Sequence, residues 1–119
     1  TIEAMEDAVA ALEGGYKALG CGSGMAAIHT ILATLLQSGD HVIVSESVYG
    51  PTATLIKNVL SKFGISSDFI ESANLEKVKA AVKPETKVIY IETPGNPTLE
   101  TTDLQAVADI AHANDAKLV

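Results

Sequence analysis

The chain has 119 residues, 47% of them hydrophobic and 19% charged, which excludes a disordered segment and suits one domain with one core. Its formal charge is -7, with no basic cluster, so it lacks the phosphate-neutralising surface of a nucleic-acid binder. A single cysteine excludes an internal disulfide framework and a cysteine-based zinc site, and no run approaches the roughly 18–20 uninterrupted apolar residues of a membrane helix.

In chain order, Ile2, Met5, Val9 and Leu12 recur at helical spacing, and Gly14-Gly15 stops that helix. Tyr16 to Cys21 reads as a short strand, followed by a tight turn through Gly20, Gly22 and Gly24. Ala26 to Leu36 is apolar on nearly every face and predicts a buried helix, ended by Ser38-Gly39-Asp40. His41 to Ser45 is β-branched and predicts a strand. Leu55, Val59, Leu60 and Phe63 mark the next helix, and Ile65 to Ile70 the next strand. Leu75, Val78 and Val82 belong to a short helix capped by Asn74 and stopped near Pro84. Val88 to Ile91 is continuously apolar, as a strand buried on both faces should be. Thr102 and Gln105 have the spacing of a capping box for a helix carrying Leu104, Val107, Ala108 and Ala111. Lys117-Leu118-Val119 then opens a fifth strand.

This alternation predicts an α/β fold with a mostly parallel sheet and helices on both faces. Both ends read as cut, so residues 1–119 are expected to be part of one larger domain. Ligands of such sheets sit beyond the carboxyl ends of the strands. Three loops are expected there: Gly20 to Met25, Glu46 to Thr52, and Glu92 to Thr98.

The first loop, Gly20-Cys21-Gly22-Ser23-Gly24-Met25, opens directly onto a helix. Free N–H groups and the positive end of the helix dipole then face outward, a natural site for phosphate. Ser23 can cap that helix and also donate to a phosphate oxygen; the same loop also fits a plain strand–helix turn. It is not a dinucleotide fingerprint, because Met25 stands where G-x-G-x-x-G requires its last glycine. In the second loop, Tyr49 can present its face to a flat ligand ring or simply pack, and Gly50-Pro51 suits a helix start. In the third, two prolines flank Asn96, which either holds its amide as an oriented donor or makes an Asx turn.

The other candidates carry less chemistry. His29, His41 and His112 are scattered, without metal-ligand spacing, and His29 reads as a satisfied core histidine. Cys21 lacks an adjacent base and reads as a small core residue rather than a nucleophile.

Ala11-Leu12-Glu13-Gly14-Gly15, Ser23-Gly24-Met25-Ala26-Ala27-Ile28, Gly39-Asp40-His41-Val42, Tyr49-Gly50 and Glu92-Thr93-Pro94-Gly95-Asn96-Pro97-Thr98 occur in this order. Together they resemble the Cys/Met-metabolism, or trans-sulfuration, enzymes that depend on pyridoxal 5′-phosphate (PLP). The resemblance spans essentially the whole chain. It implies a fold type I, aspartate aminotransferase-like large domain, of which this chain is an incomplete part. It implies that Ser23, Gly24 and Met25 hold the cofactor phosphate. By the same resemblance Tyr49 stacks on the pyridine ring and serves in acid–base steps at the leaving group. Asn96 then donates to the ring's phenolic oxygen, and Glu92 supports the site. A cytoplasmic homo-oligomer, a dimer of dimers, is implied as well. The lysine that carries the cofactor, the aspartate that pairs with the pyridine nitrogen and the substrate-binding arginine lie outside these residues.

Lys83-Pro84-Glu85-Thr86-Lys87-Val88 running into Glu92 to Leu99, with Lys62-Phe63-Gly64-Ile65, is most similar to methionine and cystathionine γ-lyases. Pro51 after Tyr49-Gly50 is more similar to some β-lyases. The expected substrate is a sulfur-containing amino acid, with methionine γ-lyase-like elimination first. Cystathionine γ-lyase, cystathionine β-lyase, cystathionine γ-synthase and O-acetylhomoserine sulfhydrylase chemistry are the alternatives. A non-enzymatic phosphate- or nucleotide-binding module would account for the first loop but leave Tyr49 and Asn96 without roles.

Overall fold

The computed structural model describes residues 1–119 as an α/β unit built on a four-stranded parallel sheet. Helix α1 (Ile2–Glu13) begins at Thr1, whose side chain accepts from the Ala4 N–H. It ends at Gly14, which takes the left-handed conformation (φ 64°) that glycine adopts without strain. The Tyr16 to Cys21 segment that follows is not a strand. None of the four strands lies beside it, so its backbone has no ladder to join. Tyr16 is fully exposed, Cys21 is exposed rather than in the core, and the Gly20 N–H is held by Glu6 Oε1 at 2.6 Å.

Helix α2 (Gly24–Leu35) forms where its apolar run predicts, yet only Leu32 is buried within it, with Leu36 just beyond. One face packs on the sheet side of the structure and nothing among these residues covers the other. His29 is therefore exposed and is not a core histidine. The core histidine is His41, at the start of β1 (His41–Ser45) and fully buried. Its Nδ1 meets Thr86 Oγ1 at 2.7 Å and its Nε2 meets Asp68 Oδ2 at 2.9 Å, tying three neighbouring strands together.

Pro51 sits in the first turn of α3 (Gly50–Thr54), which continues through a π turn (Leu55–Val59) and a 3-10 turn (Leu60–Phe63). Gly64 closes the run at φ 78°, where an added Cβ would strike the Ser38 side chain. Strand β2 (Ser66–Ile70), helix α4 (Leu75–Ala81, with Asn74 accepting from Glu76 and Lys77 N–H groups) and strand β3 (Thr86–Tyr90) follow as read from the sequence. Helix α5 (Leu104–Ala113) is capped by Asp103, which accepts from the Ala106 N–H at 3.0 Å. The expected cap, Thr102, instead meets Ser72 through its hydroxyl at 2.5 Å and donates its N–H to Thr93 Oγ1 at 3.0 Å. The last strand, β4 (Lys117–Leu118), is the fourth rather than the fifth, because the first expected strand is missing.

The sheet order is β2-β1-β3-β4, and side-chain alternation splits the core in two. Val42, Val44, Val88 and Tyr90 point to one face, with Leu32, Ile56 and Leu60 from the α2 and α3 side. Ile43 and Ile89 point to the other, with Val78 of α4 and Val107 and Ala111 of α5. Helices thus cover both faces. Burying each of these large aliphatic side chains contributes about 1.5–3 kcal/mol relative to leaving it in water.

Candidate functional site

Strand order fixes where a ligand can sit. From β1 the chain crosses by α3 to β2 on one side; it then returns by α4 to β3 on the other side of β1, and α5 carries it onward to β4. The loops leaving the carboxyl ends of β1 and β3 therefore diverge to opposite faces of the sheet. That divergence between adjacent strands is the topological switch point, where open parallel sheets hold ligands. The second and third expected loops, Glu46 to Thr52 and Glu92 to Thr98, are the two that diverge there.

The first loop joins them. Ser23 takes an extended conformation and its Oγ accepts from the Ala26 N–H at 3.0 Å, capping α2. A hydroxyl that accepts through a lone pair still has its proton to give. The amides of Gly24 and Met25 open the helix, where no carbonyl of an earlier turn exists to take them. An added Cβ at Gly22 or Gly24 would meet nothing within 4 Å, so the approach to these donors is open. This arrangement suits an anion. Met25 reaches back into the structure, where the buried Thr52 directs its hydroxyl to the Met25 sulfur at 3.9 Å.

The second and third loops are joined twice. The Tyr49 N–H donates to Glu92 Oε2 at 2.8 Å. Gly95 is buried against Ser47, so close that an added Cβ would lie 2.7 Å from the Ser47 Cβ and Oγ. The Glu92 N–H donates to the buried Ser45 Oγ at 3.1 Å, fixing the third loop to the end of β1. Gly95 also donates to the Glu100 carbonyl and accepts from the Leu99 N–H, each at 2.8 Å. Asn96 is exposed between two cis peptide bonds, Thr93–Pro94 and Asn96–Pro97, with its side-chain amide free.

Of the residues singled out in the sequence, Tyr49 and Glu92 are in direct contact, Met25 is linked to them through Thr52, and Ser23, Gly24 and Asn96 stand on the loops so joined. Cys21 faces Ile2 and Met5 of α1, away from these contacts. Sequence reasoning missed Ser45, Ser47, Thr52, Tyr90 and Gly95. Ser45 and Tyr90 could have been found as the last residues of strands at the ligand-bearing end. Burial, and then the charge of Glu92, push the Tyr90 phenol above its usual 10.0, against the opposing effect of the Thr52 hydroxyl. The largest concavity, about 480 Å³, lies on the outer side of β2 and α4, bounded by Asp68, Glu71, Lys77 and Lys83, and takes only Glu46 from the three loops. The three loops form an open shelf instead. It carries open helix-start amides, an aromatic side chain and a free side-chain amide, groups whose chemistry suits a phosphorylated heteroaromatic ring.

Known proteins carry the same arrangement of sequence. Residues 1–119 match the sequence model of the family described as Cys/Met metabolism PLP-dependent enzyme. The chain is 44% identical over all 119 residues to an L-methionine gamma-lyase of Fusobacterium nucleatum subsp. nucleatum, covering 30% of that protein. It is 48% identical over 114 residues, 96% of the chain, to the cystathionine beta-lyase MetC of Bacillus subtilis, covering 29% of it. The crystal structure of metB from Corynebacterium glutamicum superposes with a TM-score of 0.96 at 41% identity, over 98% of this chain and 30% of that one. The chain thus spans about 30% of the length of the relatives it matches. Its fold, its loops and a match from the first residue to the last all point the same way: this chain belongs to the Cys/Met-metabolism family of PLP-dependent enzymes.

Proposed function

We propose that residues 1–119 are part of a single PLP-binding large domain, in an enzyme that cleaves carbon–sulfur bonds in a sulfur-containing amino acid. The observation that carries this reading is the joining of three loops at the switch point through Met25–Thr52, Tyr49–Glu92 and Ser47–Gly95. Methionine γ-lyase-like elimination, giving thiol, 2-oxobutanoate and ammonia, is the first assignment. It draws support from the 44% identical L-methionine gamma-lyase and from Asn96-Pro97 in the third loop. The 48% identical cystathionine beta-lyase and Pro51 after Tyr49-Gly50 favour β-elimination as the second reading.

PLP supplies an electron sink for the carbanion of the substrate; the work of this chain is to hold and orient it. The Gly24 and Met25 amides would bind its phosphate, and the Ser23 hydroxyl would donate to it while keeping its cap. The Tyr49 ring would hold the pyridine ring, and its phenol would carry a proton for the departing sulfur. The Asn96 amide would donate to the phenolic oxygen of the ring, and Glu92 would support the site through Tyr49. The complete enzyme is a homo-oligomer, a dimer of dimers, working in the cytoplasm. No helix of this chain is long and apolar enough to cross a membrane.

The experiment is a substrate comparison on the purified full protein with PLP. Thiol and 2-oxobutanoate from methionine, at a rate exceeding that on cystathionine, support the first assignment. Pyruvate from cystathionine with no turnover of methionine moves it to the β-lyase reading. Failure to bind PLP, seen as no new visible absorbance, overturns both.

A further inference from the structure

Tyr49 is held by its backbone at both ends while its ring stays free. Its carbonyl accepts from the N–H groups of Thr52 (2.9 Å) and Ala53 (3.2 Å), the first bonds of the α3 turn. Its own N–H points the other way, out of the helix, where no helical carbonyl exists to receive it. No side chain caps the helix there; the Glu92 carboxylate takes that N–H at 2.8 Å instead. Tyr49 remains 53% exposed, at the ligand-bearing end of the sheet.

Glu92 is itself fixed before it acts. Its N–H donates to Ser45 Oγ, and Ser45 is fully buried at the end of β1. Its side chain therefore starts from a rigid point and reaches across to the adjacent loop. Further along the third loop, Gly95 closes directly on Ser47, a second contact between the same two loops. An amide donating to a carboxylate makes a shorter and stronger bond than one donating to a neutral group. In the structure that carboxylate comes from the third loop: Glu92, rather than Glu46 or Ser47 of the second loop itself, receives the Tyr49 N–H.

We propose that Glu92 is a positioning residue: by holding the Tyr49 amide it sets the height of the Tyr49 ring above the shelf, so that the third loop determines the geometry of the second. This rests on the reading that the ring bears on PLP, and it deepens that reading by giving Glu92 a role through Tyr49 rather than through contact with the cofactor. Its consequence is that the acceptor oxygen of residue 92 matters more than the charge.

The test compares Glu92→Ala, which removes both acceptor and charge, with Glu92→Gln, which keeps an acceptor oxygen. Two quantities are read in the full protein: hydrogen exchange of the segment containing Tyr49 with cofactor removed, and PLP affinity by absorbance titration. Glu92→Ala is expected to speed exchange at the Tyr49 amide and weaken PLP binding, each roughly tenfold, the scale of one hydrogen bond to a charged group. Glu92→Gln is expected to restore both to within a few-fold of wild type. Unchanged exchange in Glu92→Ala overturns the proposal. So does a Glu92→Gln protein with a protected Tyr49 amide but PLP affinity as poor as the alanine variant, since charge would then act on the cofactor directly. A wild-type protein that binds no PLP, with exchange still accelerated in Glu92→Ala, supports the clasp and overturns the cofactor reading instead.

Discussion

The carboxylate of Asp68 is shared by two basic side chains: its Oδ2 lies 2.9 Å from His41 Nε2 and 2.9 Å from Lys83 Nζ. His41 is fully buried, whereas Asp68 and Lys83 are both close to half exposed. The buried imidazole thus reaches solvent only through a carboxylate at the sheet's edge. If Nε2–H donates to Asp68, Nδ1 is left as acceptor for the Thr86 hydroxyl, whose oxygen in turn accepts from the Lys83 N–H at 2.8 Å.

The Lys83 hydrogen bond, and then that of His41, hold the Asp68 carboxyl below its ordinary 3.8. A group whose pKa is depressed on folding stabilises the fold above its unfolded pKa and loses that contribution as pH falls through the folded one. Asp68→Asn is therefore expected to lower the unfolding midpoint at pH 7, modestly because the carboxylate is partly exposed. The gap from wild type should close as pH falls below about 3.8. Urea titrations of both proteins at pH 7 and in acid check this; an equal gap at both would contradict it.

Gly95 and Ser47 form a matched pair. With 2.7 Å between an added Cβ and the Ser47 side chain, Gly95→Ala must push the third loop off the second, an overpacking cost of about 1–3 kcal/mol. The expected outcome is a lower melting temperature and weaker PLP binding, with partial recovery in the Gly95→Ala, Ser47→Gly double variant. Additive effects of the two changes would show that the contact is not what matters.

Tyr49→Ala is expected to weaken PLP binding by about 1 kcal/mol or more from the lost ring contact, and to slow elimination. Tyr49→Phe should keep the affinity and lose turnover, since it removes only the phenol. Equal affinity and turnover across wild type, Phe and Ala would make Tyr49 a packing residue.

Cys21 is exposed and free, on the side of Ile2 and Met5. Cys21→Ser is expected to retain most turnover, and thiol labelling at Cys21 to leave PLP content unchanged. A loss of several orders of magnitude with PLP bound would make the thiol catalytic.

Residues 1–119 alone are expected to yield no 2-oxo acid from methionine and PLP, because the lysine and aspartate implied by the family resemblance lie outside them. They should also associate: Ile2, Leu12, Tyr16 and Leu19 are largely exposed, and exposed apolar patches drive self-contact. Gel filtration and a thiol assay read both; a monomer with steady PLP-dependent turnover would refute them.

The fold was legible where a signal was local. Asn74 capping α4, Gly14 ending α1 and the β-branched run His41 to Ser45 each act within a few residues, and each formed as read. Tyr16 to Cys21 failed because strand formation needs a partner, and the sequence window names no partner. The apolar run of α2 specified its helicity correctly and its burial wrongly, since burial depends on what covers it. Thr102 and Asp103 both fit a cap, and the pull of Ser72 and Thr93 on Thr102 decided between them. At the site, loop composition pointed to Ser23, Tyr49 and Asn96. The bonds that join the loops span 27 to 43 residues, beyond any local pattern.

The central strand β1 pairs with β2 and β3, so His41 finds its partners 27 and 45 residues later in the chain. During synthesis at about 5–20 residues per second, the apolar run Val42-Ile43-Val44 waits on the order of 2–9 s before β3 exists to close it. For that interval the nascent chain carries a sticky β segment with its β3-side edge open, even once β2 has been made. The polar bracket of His41 and Ser45 around it, each later satisfied by a residue of β3 or just beyond, keeps the exposed stretch to three residues.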